Sequence, residues 1–410
     1  MKTIRLEVLG SVLILLLLSA CASQPGTAVK HEWMQDVINY EASLGPDHLD
    51  SVENLYQVTP EMRNTVKTRF GKLPKLRALR KLAQWLIDDE GKNMQYNMEA
   101  NYAPIEAFYR NEGNCLSFTL LLIELADEID IKLNANEVDI PDLWGENEDR
   151  GLVYYRHVNA MYKSDRYTQV FDLAIQEYRA GFPQRFITKR SAAALLYSNL
   201  GVQFMQDEDY DTALHYLKLA VSVDADNPDL WINLSAALRR SGKVDMAEQG
   251  YLYAHNLNPR ESLAASNLER LYRSQGKTQA ATRFQKLASR VRDKNPYLHF
   301  YAAQKAFDKQ DFGSAAKSVK RAIKLHDKDP QFFELRSRLY QVEKKYVAAL
   351  RDLEKAHNIS LTPTERGRYA NKVDLVLAAV KQQAEDREKR FQRLSSPEFI
   401  RQQINTGTIY

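Results

Sequence analysis

The sequence predicts an α+β N-terminal domain followed by an all-α solenoid of short helical repeats. Three observations carry that prediction. Alanines recur every 34 residues through the second half of the chain. Apolar residues at helical spacing dominate as far as Asp127, and alternation with period two takes over between Leu133 and Leu173. One cysteine, Cys115, stands at the start of the last helix before that change. A chain of 410 residues is expected to hold two or three domains. With 57 basic and 53 acidic residues the net charge is +4, too near balance to argue for a nucleic-acid partner.

The first 30 residues read as an address. Lys2 and Arg5 precede Val8–Leu18, an apolar run of about eleven residues, too short to span a bilayer. It ends in Leu18-Ser19-Ala20-Cys21, which resembles a bacterial lipobox. An ordinary signal peptide cleaved at the same place is the alternative. The resemblance implies a signal peptide over 1–20, lipid on Cys21, and an anchored linker over 21–30. Ala22, where an Asp would mark inner-membrane retention, points to the periplasmic face of the outer membrane. Loss of Lys2, Arg5 and Glu7 removes a net +1 and leaves the mature chain near +3. No later apolar stretch approaches ~20 residues, so membrane contact is expected through the lipid.

Residues 31–189 are read as the α+β domain. Helices are expected over His31–Ser43, Thr59–Phe70 and Leu73–Asp88. In the last, Leu76, Leu79, Leu82, Ala83, Leu86 and Ile87 fall at helical spacing and form a core face. Pro104–Tyr109 is a short helix leading into Gly113-Asn114-Cys115. From Cys115 to Asp127 the chain is apolar on nearly every side, so that helix is expected to be central and buried. A thiol at its start feels the positive end of the helix dipole, which favours the thiolate. With Cys21 assigned to lipid, Cys115 stays free and no disulfide is available in an oxidising periplasm.

Strands are expected over Leu133–Val138, Leu152–Tyr162 and Tyr167–Leu173, with Lys163–Arg166 as the turn between the last two. A hairpin folded about the Ser164–Asp165 bond sets His157 directly opposite Asp172, with Cβ atoms ~4.5–5.5 Å apart. A one-residue slip puts them on opposite faces. In register, Asp172 orients the imidazole and His157 serves the thiol of Cys115, which makes the three a candidate catalytic set. The acidic stretch Asp139–Arg150 joins two strands ahead of His157, with Trp144 placed to cover a substrate. Its length fits a lid or specificity loop, and a solvated loop is the plainer reading. The eight histidines are scattered and His157 has no second ligand nearby, so no metal and no cofactor are expected.

The order Cys115, His157, Asp172, one on a helix start and two on adjacent strands, resembles the transglutaminase-like superfamily of papain-type folds. Gly113-Asn114-Cys115-Leu116-Ser117-Phe118, His157-Val158 and Val170-Phe171-Asp172-Leu173 carry the likeness, with Tyr102–Phe108 as the lead-in. It covers roughly residues 60–180. The resemblance implies a covalent mechanism on amide carbonyls, with an acyl-thioester passing to water or to an amine. No residue matches the family's upstream oxyanion side chain. The backbone N–H of Cys115 and one further donor are left for that task.

Residues 194–363 carry the repeat. Ala213, Ala247, Ala281, Ala315 and Ala349 are 34 apart, as are Ala220, Ala254, Ala288, Ala322 and Ala356. Each pair is seven residues apart, two turns of one helix, so both small residues lie on one face. An upstream helix precedes each pair, and Pro228, Pro259, Pro296 and Pro330 mark the unit boundaries. The pattern resembles five tetratricopeptide repeats. Gly201, Ser235, Ala303 and Ser337 meet the family's small position in the first helix, and Glu269 departs from it. The whole chain is most similar to a bacterial group that fuses a transglutaminase-like domain to such repeats. Residues 364–410 read as a polar capping helix and tail.

By resemblance, first-helix residues line a concave groove that holds an extended peptide. Arg239, Arg240, Arg270, Arg273 and Arg338 lie there, and bidentate pairing to carboxylates makes an acidic peptide or protein partner the expectation. Two functions stay open: a lipid-anchored thiol enzyme acting on amide bonds, and a non-catalytic adaptor that binds peptides through the repeats.

Overall fold

The structure, a computed structural model, describes residues 31–405 apart from 46–47, 49, 140–155, 165–166, 175–181, 261 and 361–362. Cys21 with the segment before it, and the acidic stretch beyond Asp139 with Trp144, lie outside the described residues.

The predicted first helix is two, α1 (Glu32–Ile38) and α2 (Tyr40–Leu44), because Asn39 leaves helical geometry at φ −91, ψ 7. A short α3 (Val52–Leu55) follows, which sequence periodicity does not show. α4 (Pro60–Phe70) starts where the Thr59 hydroxyl accepts the Met62 N–H and Pro60 takes the first helical position. α5 (Lys75–Ile87) buries Leu79, Leu82 and Leu86. β1 (Gln95–Tyr96) and β2 (Glu112–Gly113) pair in parallel on either side of α6 (Pro104–Arg110). α7 (Cys115–Asp127) is buried at every position from Leu116 to Ala126, as its all-round apolar pattern requires.

A four-stranded antiparallel sheet covers α7, built from β3 (Asn134–Val138), β4 (His157–Ser164), β5 (Tyr167–Phe171) and β6 (Gln184–Ile187) in the order β5-β4-β3-β6. The β4–β5 register differs from the predicted one. Ser164 pairs with Tyr167 and Ala160 with Phe171, so the hairpin is two residues tighter toward its C-terminal side. Extending that register sets Asp172 opposite Asn159, not His157. A two-residue offset preserves the face, and His157 and Asp172 still meet diagonally.

The solenoid consists of five helical hairpins among the described residues. They are α8 (Lys189–Gln206) with α9 (Tyr210–Val223), α10 (Pro228–Arg240) with α11 (Val244–Leu257), and α12 (Ser262–Ser274) with α13 (Thr278–Arg292). Then come α14 (Pro296–Asp308) with α15 (Phe312–Leu325), and α16 (Pro330–Val342) with α17 (Tyr346–Ile359). Each hairpin turns on one residue of positive φ: Glu208, Gly242, Gly276, Gln310 and Lys344, again 34 apart. All ten repeat alanines are at most 3% exposed, which confirms the small-residue seam. At Gly201 a Cβ would lie 2.5 Å from Leu217 Cγ, so that position admits glycine alone without adjustment. α18 (Pro363–Leu394) closes the stack through Tyr369 and Val376, and α19 (Pro397–Asn405) follows.

The N-terminal unit and the repeats share a core. One apolar cluster runs from Met34 and Val37 through α5 and α7 to Ala288 on α13. Trp33 donates its indole N–H to Gln249 at 2.6 Å and meets Trp231 edge-on at 6.2 Å. Farther along the array, Val138 and Phe182 join the cluster of Tyr297, Phe300 and Phe332, with Phe182 5.5 Å from Tyr297.

Candidate active site

Cys115 is delivered by a tightly determined turn. Asn111 ends α6 in the left-handed region at φ 54. Gly113 then passes so close to its neighbours that a Cβ would lie 2.7 Å from Met94 Cε and 3.0 Å from Ser117 Cβ. Asn114 caps α7, its side-chain oxygen accepting the Ser117 N–H at 2.9 Å. Cys115 is thus the first helical residue, and its backbone N–H has no acceptor one turn back. The thiol itself is half-buried and unbridged.

The segment ahead of the turn is clamped to it. Ser117 Oγ donates to the Ala100 carbonyl at 2.9 Å and accepts the Tyr102 N–H at 2.8 Å. Asn114 Nδ2 donates to Asn101 Oδ1 at 2.7 Å, and Asn101 Nδ2 donates to Gln203 Oε1 on α8 at 3.2 Å. A chain of side-chain amides therefore ties the cap of the cysteine helix to the first repeat. Asn101 and Gln203 carry no periodic signal, and sequence reasoning did not single them out.

His157 and Asp172 are buried together. His157 Nε2 lies 2.5 Å from Asp172 Oδ2, and the other oxygen, Oδ1, accepts the Ala174 N–H at 2.9 Å. With Nε2 engaged, Nδ1 is the nitrogen left to face Cys115, which stands near enough to act on the ring's charge. Burial works to lower the His157 pKa. The hydrogen bond to Asp172, with its charge and the influence of nearby Cys115, outweighs it and raises the pKa to about 10. The three residues singled out in sequence thus lie close together, His157 and Asp172 buried and Cys115 half-buried beside them.

Next to His157 stands a feature the sequence did not announce. Arg156 reaches Asp229 Oδ2 at 2.9 Å, Glu137 Oε1 at 3.2 Å and Asp139 Oδ1 at 3.4 Å. Arg185 also holds Glu137, at 3.0 Å. Burial raises the Glu137 and Asp139 carboxyls against the pull of Arg156. These residues line a cavity of about 430 Å³ between the sheet and the start of α10.

The five predicted groove arginines divide. Arg239, Arg240 and Arg270 gather near the fully buried Tyr251 hydroxyl, whose pKa burial pushes up to about 12 against their opposing charge. Arg273 is paired with Glu269 within its own helix, and Arg338 stacks over Phe307 at 4.3 Å. A cavity of about 550 Å³ lies between the second, third and fourth hairpins, with Arg260, Arg290, Arg292 and Lys294 on its walls.

The chain matches no protein-family profile and no curated protein. Among solved structures it is similar to pilF of Pseudomonas aeruginosa, at 16% identity over 53% of this chain and 100% of that one, TM-score 0.25. It is similar to TTC0263, a thermophilic TPR protein of Thermus thermophilus, at 24% identity over 43% and 97%, TM-score 0.22. Against the APC/C hetero-tetramer Cut9–Hcn1 the identity is 19% over 46% of this chain, which spans 37% of that one, TM-score 0.24.

Proposed function

We propose that residues 31–189 hold a transglutaminase-like thiol centre that attacks amide carbonyls through Cys115. In this reading lipid on Cys21 tethers the chain to the periplasmic face of the outer membrane, and the tetratricopeptide-type repeats over 194–363 recruit a peptide or protein. The observation that carries the reading is the buried His157–Asp172 pair at 2.5 Å, with the second ring nitrogen left for a thiol at a helix start. Asp172 fixes the tautomer. The Cys115 thiolate forms a C–S bond at the carbonyl carbon, and the carbonyl oxygen takes the negative charge beside the Cys115 N–H. The imidazolium gives its proton to the departing amine as the C–N bond breaks. His157 then removes a proton from water or an incoming amine, which displaces the thiol from the acyl-thioester.

The test is thiol reactivity. Iodoacetamide at about pH 6 is expected to label Cys115 rapidly in the wild type and at least ~10-fold more slowly in His157→Ala. Equal, slow labelling of both removes the enzyme reading.

A second reading, a non-catalytic adaptor, draws on the solenoid itself and on its basic surfaces. Arg239, Arg240 and Arg270 converge around Tyr251, and the walls of the 550 Å³ cavity carry four more cationic side chains. A fluorescein-labelled glutamate-rich peptide is expected to bind the wild type and to lose affinity in the variant with alanine at 239, 240 and 270. Unchanged anisotropy titrations remove the arginine groove from either reading.

A further inference from the structure

We infer that Asp229, at the start of the second hairpin, positions His157 through Arg156, so that the repeat array aligns the thiol site; this rests on the thiol-centre reading above. Arg156 is bonded directly to His157 in the chain. Its side chain is 16% exposed, and its guanidinium is shared among three carboxylates. Glu137 and Asp139 belong to β3 and its end, and move with the sheet. Asp229 alone of the three comes from the repeats, and it makes the shortest contact, 2.9 Å.

The strand end that carries His157 is tied to α7 where Thr119 Oγ donates to the Val158 carbonyl at 3.1 Å, and Asp229 adds a tie from the repeats. On one side Val138 pairs with His157. On the other, the β4–β5 ladder stops at Ala160–Phe171, three residues short of it. Asp229 is a firm post for that purpose. It is 3% exposed, it sits in the first turn of a 13-residue helix, and Asn227 Oδ1 fixes its N–H at 3.1 Å. Its charge is favoured at that helix end. A buried ion pair keeps its geometry because separating the charges leaves both desolvated. A rigid polar path from the repeats to the ring thus runs through α10, Asp229, Arg156 and His157. Asp229 and Arg156 are positioning residues, and neither touches the reacting atoms.

The experiment uses the full-length protein and the second-order rate of Cys115 alkylation by iodoacetamide at two pH values. Asp229→Asn is expected to label roughly tenfold more slowly than wild type at about pH 6, where thiolate depends on His157. At about pH 9.5 a thiol ionises unaided, and the two proteins are expected to label alike. Asp229→Glu, which keeps the carboxylate, recovers the low-pH rate. The control is Asp352→Asn, which breaks the Arg336–Asp352 pair, 2.7 Å, within the fifth hairpin. It lowers the melting temperature and leaves the ratio of the two rates unchanged. If Asp229→Asn does not fold, Arg156→Gln is read the same way. Wild-type labelling of Asp229→Asn at low pH, with His157→Ala slow, overturns the inference. Wild-type labelling of His157→Ala overturns the thiol-centre reading beneath it.

Discussion

Replacing Asp172 by Asn conserves volume and removes one charge from a side chain with both oxygens in use, Oδ2 on His157 and Oδ1 on the Ala174 N–H. In the native protein His157 is held at about 10, against an ordinary 6.5. That difference corresponds to ~5 kcal/mol in favour of the imidazolium, at about 1.36 kcal/mol per pKa unit. The hydrogen bond to Asp172 and the proximity of Cys115 produce it, while burial opposes both. Losing the Asp172 share is expected to lower the His157 midpoint by about 1–3 units. The assay is a pH titration of the His157 ring followed by NMR in wild type and variant. The same shift enters stability with a definite sign. A histidine whose native pKa lies above its unfolded value stabilises fully below about pH 6.5, and that contribution is lost as pH rises through about 10. Chemical denaturation of the wild type is therefore expected to show a decline in stability across that window, and Asp172→Asn a smaller one. A wild-type midpoint near the ordinary value, or a midpoint unmoved by Asp172→Asn, refutes the reasoning.

The hairpin turns offer a matched pair. Gly276 and Gln310 occupy the same repeat position at φ 72 and φ 61. Gly276→Ala is expected to cost about 1 kcal/mol and Gln310→Gly to gain roughly 0.5 kcal/mol, read as opposite shifts in thermal unfolding. Asn114→Ala removes the cap on Ser117 and the donor to Asn101 together. It is expected to cost about 1–2 kcal/mol and to slow Cys115 labelling, since the turn that presents the thiol loses both ties.

What was legible in sequence is what repeats or alternates. Alanine ladders mark the solenoid because close helix packing admits small residues only, and their burial follows directly. The cysteine helix declares itself because no side of it tolerates water. Register was harder. Lys163 and Ser164 have turn-like composition, yet both continue β4 and pair with Thr168 and Tyr167. The His157–Asp172 pairing holds because side chains on a strand alternate, so an even offset keeps the face. β6 is four residues long with Gln184 and Arg185 at its start, too short and too polar to show period two. The Arg156–Asp229 bond joins positions 73 apart in chain, and nothing in local composition marks such a pair.

The shared core changes what the repeats are for. A stacked array buries each hairpin against its neighbours and needs cover at its two ends. At the C-terminal end α18 supplies it, with Tyr369 fully buried. At the other end the cover comes from the unit that holds Cys115. Tyr56 donates to the Lys189 carbonyl at 2.5 Å, Lys189 pairs with Glu124 of α7, and Tyr197 of α8 donates to the Asp50 carbonyl at 2.7 Å. The thiol unit is therefore the N-terminal cap of the solenoid as well as its companion. Its cysteine turn hangs on α8 through Gln203, and its histidine strand hangs on α10 through Asp229. The cysteine turn and the histidine strand thus rest on two successive hairpins, and under the inference above a change in the angle between those hairpins is expected to act on the separation of Cys115 and His157.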